Sequence, residues 1–272
     1  MATARINGID LYYEVHGGGE PLLLIMGLGA NTTSWFSQIP DFSREYQVIA
    51  FDNRGAGRSD KPNESYSMGQ MADDARGLLD HLGITSAHVF GMSLGGMIAQ
   101  ELVLRAPERV RTLVLGGTMA GGPTAIFAGP EVVQQFISLA GMPLLQAIEA
   151  GLALIYSAGY IAQKKGDLVR RMILNAHLTA PMFGIQRQFM AIVGFDTTAR
   201  LQEITAPTLV LAGTADRVMP LVNSRQLAAG IAGARLVELE GAGHGFLVEK
   251  AQETNAAVLA FLRQHRSEAA AA

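Results

Sequence analysis

Ser93 stands in Gly91-Met92-Ser93-Leu94-Gly95, a match to G-x-S-x-G that lies between an apolar run and a helical pattern. A serine in a tight strand-to-helix turn takes a strained backbone that only small neighbours tolerate, and the turn lifts its hydroxyl into reach of a substrate. Gly91 and Gly95 supply the room. The bland alternative is a glycine-rich turn with an incidental serine, and the strand before it and the helix after it weigh against that. A serine hydroxyl is a poor nucleophile until a base takes its proton, so a histidine is required, with a carboxylate to orient it. The segment "LVLAGTADRVMP" puts Asp216 just past the carboxyl end of a strand, and "LEGAGHGFLVE" puts His244 in a glycine-flanked loop after the next strand. The order serine, acid, histidine is the one that accompanies such a turn. The chemistry this predicts is acyl transfer to Ser93.

The rivals are weaker. His16, His81 and His265 read as surface positions, His88 as a structural residue inside a strand, and His177 as surface within a helical segment. Asp216 could instead be a turn or cap aspartate ahead of Pro220. Asp196 is a second candidate acid at the edge of that segment, and no carboxylate occurs between Leu115 and Glu131.

These residues need elements to hold them. Alternating Ile9, Leu11, Tyr13 and Val15 predict a half-exposed strand of an opening hairpin turned by Asn7-Gly8. Leu22–Met26, Val48–Phe51, His88–Phe90, Val110–Leu115 and Thr208–Ala212 are continuous apolar runs, as expected of parallel strands covered on both faces. Helical patterns fall at Met68–Leu82, Leu94–Arg105, Ser224–Ile231 and Glu249–Arg263. Strand then helix, repeated, predicts an α/β fold with a mostly parallel, doubly wound sheet of about eight strands. The rhythm breaks after Leu115 and resumes at Ile204, with apolar residues at helical spacing between (Val132, Val133, Phe136, Ile137, Leu144, Leu145, Ile148, Leu152). The expected organisation is therefore a core of residues 1–117 and 204–272 with a helical insertion at 118–203. The terminal "EAAAA" is expected to fray.

Bulk properties exclude several classes. A formal net charge of −3, with Lys+Arg 21 against Asp+Glu 24, leaves no basic excess for nucleic acid or anionic membranes. The absence of cysteine removes disulfides, thiolate nucleophiles and cysteine-based zinc sites. Hydrophobic content of 49% describes a globular chain with a large core. No apolar stretch is long enough to span a bilayer and no leader is evident, so a cytoplasmic protein is expected. Gly27-Leu28-Gly29 invites a dinucleotide site, but G-x-G-x-x-G would need glycine where Thr32 stands. No cofactor and no metal are expected.

Taken in order, "LLLIMGLG", "VIAFDNRGAGRSDKP", "GMSLGGMIAQELVLRAPERVRTLVL", "PTLVLAGTADRVMP" and "GAGHGFLVE" make nearly the whole chain resemble the α/β-hydrolase fold family, in its serine ester and lactone hydrolase type, with a pattern like the 3-oxoadipate enol-lactonase group. The resemblance implies a helical cap at the insertion. It places nucleophile, acid and base at Ser93, Asp216 and His244, the residues already reached on chemical grounds. Asp52 and Arg54 of "FDNRGAGRSDKP" are expected to be structural. The developing oxyanion needs backbone donors: Leu94 follows the nucleophile and supplies one, and the family pattern places the second at Leu28. The chain departs from that pattern in reading Met26-Gly27 where His-Gly is usual, which leaves the support of this loop open.

Substrate-pocket candidates are Gly27, Trp35, Met92, Met119, Met142, Phe183, Met190, Val218 and Phe246. Such apolar side chains suit small to medium apolar esters or lactones, with water as second substrate. Arg171 or Arg187, directed inward, would instead favour a carboxylated lactone. Two other functions compete: the same triad used for carbon–carbon bond hydrolysis or as a perhydrolase with haloperoxidase-like activity, and a ligand-binding protein on a hydrolase scaffold. Oligomeric state is not legible in the sequence.

Overall fold

Leu22, Leu23, Leu24 and Ile25 are all fully buried, as a strand must be when helices cover both faces of its sheet. The computed structural model describes residues 2–139 and 141–266, so the terminal run expected to fray lies outside the described residues. Its strands are β1 (Ala2–Ile6), β2 (Ile9–His16), β3 (Glu20–Ile25), β4 (Tyr46–Phe51), β5 (Ala87–Met92), β6 (Val110–Gly116), β7 (Thr208–Gly213) and β8 (Arg235–Leu239). They form one sheet in the order β1-β2-β4-β3-β5-β6-β7-β8. The first two pairings, β1 with β2 and β2 with β4, are antiparallel, and every later one is parallel. The opening hairpin turns on Asn7 and Gly8, both at positive φ (46° and 82°), the mirror-image turn that matches strand twist.

The helices are α1 (Ile39–Phe42), α2 (Met68–His81), α3 (Leu94–Arg105), α4 (Pro130–Leu139), α5 (Leu144–Ile155), α6 (Ala158–Leu174), α7 (Met182–Val193), α8 (Leu221–Gly230), α9 (Phe246–Glu249) and α10 (Ala251–Arg263). Period-two alternation sorts the core into two layers. Leu23, Ile25, Val89, Leu113 and Val210 pack with α2, α3 and α8 on one face. Leu22, Leu24, Phe90, Val114 and Leu211 pack with Trp35, Phe42, Phe246 and α10 on the other. Two helix limits differ from the sequence expectation. The helix expected from Ser224 begins at Leu221, because Pro220 serves as its N-cap and proline is tolerated where no N–H is needed. The C-terminal helix is interrupted at Lys250 (φ −123°, ψ 41°), which separates α9 from α10.

Between β6 and β7 the chain forms α4 to α7. The carboxyl ends of β3, β5, β6, β7 and β8 all lie on one edge of the sheet, as parallel neighbours must. That edge is where an open α/β sheet presents its loops to ligands.

Candidate active site

β5 ends at Met92, and Ser93 is the N-cap of α3 with φ 56° and ψ −121°. Positive φ costs a residue with a Cβ about 1–3 kcal/mol, so the surroundings must impose it. Here they do: Ser93 N–H donates to Gly116 O at 2.8 Å, and Ser93 O accepts from Gly96 N–H (2.9 Å) and Thr118 Oγ1 (2.8 Å). The turn closes so tightly that a Cβ on Gly91 would lie 2.2 Å from Gly95 O, and one on Gly95 2.0 Å from Ile25 O. Ser93 is half-buried, and its Oγ makes no hydrogen bond among the described residues.

Asp216 follows β7, and both oxygens of its carboxylate are engaged. Oδ1 accepts from the N–H groups of Val218 (2.9 Å) and Met219 (2.8 Å), and Oδ2 accepts from His244 Nδ1 at 2.7 Å. Because an ionised carboxylate only accepts, this bond assigns the proton to Nδ1 and leaves Nε2 with a lone pair. Both side chains are withdrawn from solvent, Asp216 fully and His244 to 13% exposure, which strengthens a charge-assisted bond. The loops that carry them are laced together by Ala215 N–H to Ala242 O (2.9 Å) and Thr214 N–H to Leu239 O (3.1 Å). The imidazole meets the serine side of the site at Gly117, where a Cβ would be 3.4 Å from His244 Cε1, one residue beyond the carbonyl that holds Ser93 N–H.

The loop after β3 borders the serine directly: a Cβ on Gly27 would lie 2.9 Å from Ser93 Cβ. Met26 is buried in the layer below with Trp35 and Met92. Its carbonyl accepts from Asn53 Nδ2 at 2.8 Å, and three residues on Gly29 N–H donates to Gln188 Oε1 at 2.8 Å. Leu28 N–H, between these, has no acceptor among the described residues, and Leu94 N–H opens α3, where helical N–H groups have no partner in the helix. Asn53 and Gln188 are thus the side chains that bind this loop, whose support the sequence left open. Gln188 escaped the sequence reading, although a signal existed: it is a polar residue on the buried stripe of α7 with Gly184 and Ala191.

The other candidates divide. Met92 and Phe246 are buried against Gly116 and Gly117, Trp35 packs edge-on against Phe90 with centroids 5.1 Å apart, and Met119 is buried with its carbonyl bound by Gln100. Val218 and Met142 are half-buried. Phe183 and Met190 are 44% and 64% exposed and, with Asn63, Tyr66 and Arg187, line an outer groove of about 380 Å³. Helical geometry explains this, since the face of α7 that carries Gly184 and Gln188 is turned to the core. Arg187 reaches Asn63, and Arg171 stacks on Phe36 with its guanidinium 3.4 Å from the ring centroid.

Asp196, the rival acid, is exposed and caps Thr198, whose hydroxyl and N–H hold its carboxyl below the usual range. His88 is buried against Thr112 Oγ1 at 2.8 Å, and burial pushes its imidazole down to about 4. Arg54 is bound by Asp74 at 2.6 and 2.8 Å, a structural pairing. The helical insertion also touches the histidine loop: Gly245 N–H donates to Ile155 O at 2.8 Å, and Glu249 accepts from Gly243 N–H (3.1 Å) and from the Ser157 hydroxyl. Tyr156 covers Gly245, and burial pushes its phenol up to about 12. No cluster of three or more His, Asp or Glu side chains suited to a metal ion occurs among the described residues, and no helix there is long and apolar enough to cross a membrane.

A family model described as alpha/beta hydrolase fold matches residues 20–251. "Putative carbamate hydrolase RutD" of Azorhizobium caulinodans is 34% identical, over 96% of this chain and 98% of that protein. The solved enol-lactonase of Burkholderia xenovorans LB400 superposes with a TM-score of 0.84 at 29% identity, covering 96% of this chain and all of that one. The meta-cleavage product hydrolase of Pseudomonas fluorescens IP01 superposes with a TM-score of 0.84 at 25% identity, covering 98% of each chain.

Proposed function

The chain belongs to the α/β-hydrolase fold family and is a hydrolase, and from that premise we propose that it cleaves carboxylic esters or lactones by acyl transfer to Ser93. The observation that carries this reading is the 2.7 Å bond between His244 Nδ1 and Asp216 Oδ2, with Ser93 held beside the same loops at φ 56°. Nε2 of neutral His244 accepts the hydroxyl proton as Ser93 Oγ attacks the carbonyl carbon. The carbonyl oxygen becomes the oxyanion and is bound by the N–H groups of Leu28 and Leu94, each worth about 10²–10³ in rate. Collapse of the intermediate expels the alcohol, which takes the proton from His244. A water then gives its proton to His244 and attacks the acyl-enzyme, releasing the acid and restoring Ser93. Asp216 holds the ring and stabilises its cation.

Residues 118–203 serve as a cap in this reading, since they lie against both the Gly29 turn and the Gly243–Gly245 turn. Met92, Met119 and Phe246, with Trp35 beneath, supply apolar walls that favour small to medium apolar acyl or alcohol groups. The likeness to a meta-cleavage product hydrolase favours, as a second reading, carbon–carbon bond cleavage by the same groups.

A panel of p-nitrophenyl esters of rising chain length, small lactones, a carbamate and a diketone separates these chemistries. Ester or lactone turnover should exceed the others, and Ser93→Ala should lower it by roughly 10⁴-fold or more. Equal turnover by Ser93→Ala would remove Ser93 from the mechanism, and preference for the diketone would favour the second reading.

A further inference from the structure

Leu28 N–H owes its direction to the residues on either side of it. Met26 O is bound from the core by Asn53, and Gly29 N–H is bound by Gln188, which belongs to α7 of the insertion and lies 159 positions away in the chain. Gln188 is fully buried and uses both ends of its amide: Oε1 accepts from Gly29 N–H at 2.8 Å, and Nε2 donates to Arg54 O at 2.7 Å. The second end is itself anchored, because the Arg54 guanidinium is fixed by Asp74 in the core. The fit around this bridge is close. A Cβ on Gly184 would lie 2.3 Å from Gly55 O, a Cβ on Gly29 would lie 3.2 Å from Ile185 Cγ1, and Asn31 Nδ2 donates to Leu178 O at 3.3 Å. A buried primary amide satisfied at both ends has one orientation, since reversing it would set its NH2 against the Gly29 N–H and its oxygen against the Arg54 carbonyl.

We propose that Gln188 is a positioning residue: its amide sets the backbone of the oxyanion loop from the insertion side, so that seating of the insertion is a condition for turnover. The inference rests on the assignment of Ser93 as nucleophile and Leu28 as an oxyanion donor. Gln188 touches neither substrate nor the reacting atoms. Its effect falls on the transition state, because a donor displaced by about 1 Å loses the developing charge while substrate still binds.

The test compares Gln188→Met, which keeps the length and removes both bonds, with Gln188→Glu, which keeps an acceptor for Gly29 N–H. For p-nitrophenyl ester hydrolysis, Gln188→Met should lower kcat roughly tenfold or more with KM within about threefold, and weaken a boronic acid that forms a tetrahedral adduct on Ser93 by a similar factor. Gln188→Glu should retain more of kcat than Gln188→Met, and its activity relative to wild type should fall as pH rises and the carboxylate ionises against the Arg54 carbonyl. Wild-type kcat in both variants, or a change confined to KM, overturns the proposal. Should Gln188→Met fail to fold, Gln188→Glu decides alone: a declining ratio with pH supports the proposal and a constant ratio overturns it. Ser93→Ala is run beside them. An active Ser93→Ala removes the nucleophile assignment and this inference with it, whereas an inactive Ser93→Ala with unimpaired Gln188 variants removes this inference alone.

Discussion

The serine turn and the loop after β3 sit side by side at one edge of the sheet, yet they are held in different ways. The serine turn is held by Gly116 O at the end of β6, by Gly96 N–H of its own helix and by Thr118 Oγ1 two residues past β6. The loop after β3 is held by one core side chain, Asn53, and by one from the insertion, Gln188. The first therefore depends on partners in α3 and within two residues of the end of β6. The second is complete only when α7 is seated. A turn strained to positive φ needs stiff support, whereas a loop without that strain can be shared between two parts of the chain.

The comparison can be broken or sharpened at graded cost. The largest effect is expected from Asp216→Asn, which keeps the shape but no longer fixes the His244 tautomer: kcat should fall by about 10⁴-fold with the melting temperature nearly unchanged. A loss under about tenfold in steady-state kinetics would show that the pair is only structural. Next, Gly95→Ala should strike the contact between the serine turn and the end of β3, because its Cβ would be 2.0 Å from Ile25 O and 2.9 Å from Met26 O. Overpacking against backbone costs about 1–3 kcal/mol or more, read as a lowered denaturation midpoint. A variant of wild-type stability would mean that the turn is looser than its geometry implies.

The strand that ends just before Ser93 also carries His88, and this gives the core support a pH dependence. Burial keeps the folded imidazole titrating near 4, against about 6.5 when unfolded. Between these values the unfolded chain binds more protons, so stability is full above about 6.5 and falls as pH drops toward 4, by at most about 3 kcal/mol. Chemical denaturation across this range should show the slope, and His88→Gln should flatten it; an unchanged slope would assign the acid sensitivity elsewhere. The smallest effect is expected from Asn53→Ala, which leaves the Met26 carbonyl without its donor. Stability should fall by about 1–3 kcal/mol, with a loss of kcat beside it. Equal activity in Asn53→Ala and wild type would show that the insertion alone suffices to hold the loop.

Much of this was legible in advance. The apolar runs of β3 to β7 announce strands covered on both faces, and G-x-S-x-G placed between strand and helix announces the turn whose Ser93 has φ 56°. The order of Ser93, Asp216 and His244 could be read as well, because each follows a strand whose end is marked by glycine. The support of the β3 loop could not be read, since Asn53 and Gln188 are ordinary amides whose role depends on distant partners. The setting of Phe183 and Met190 could not be read either, because apolar type does not say which flank of a helix is covered, and both line an outer groove.

The sequence by itself determined the element types, the two-layer core and the strand-to-helix turn at Ser93, because these rest on spacings of two, 3.6 and five residues between near neighbours in the chain. Only the tertiary structure decided which amides point where at the edge of the sheet. Gly29 meets Gln188 across 159 positions, and a hydrogen bond of that reach is set by how two folded bodies pack, which no local spacing records.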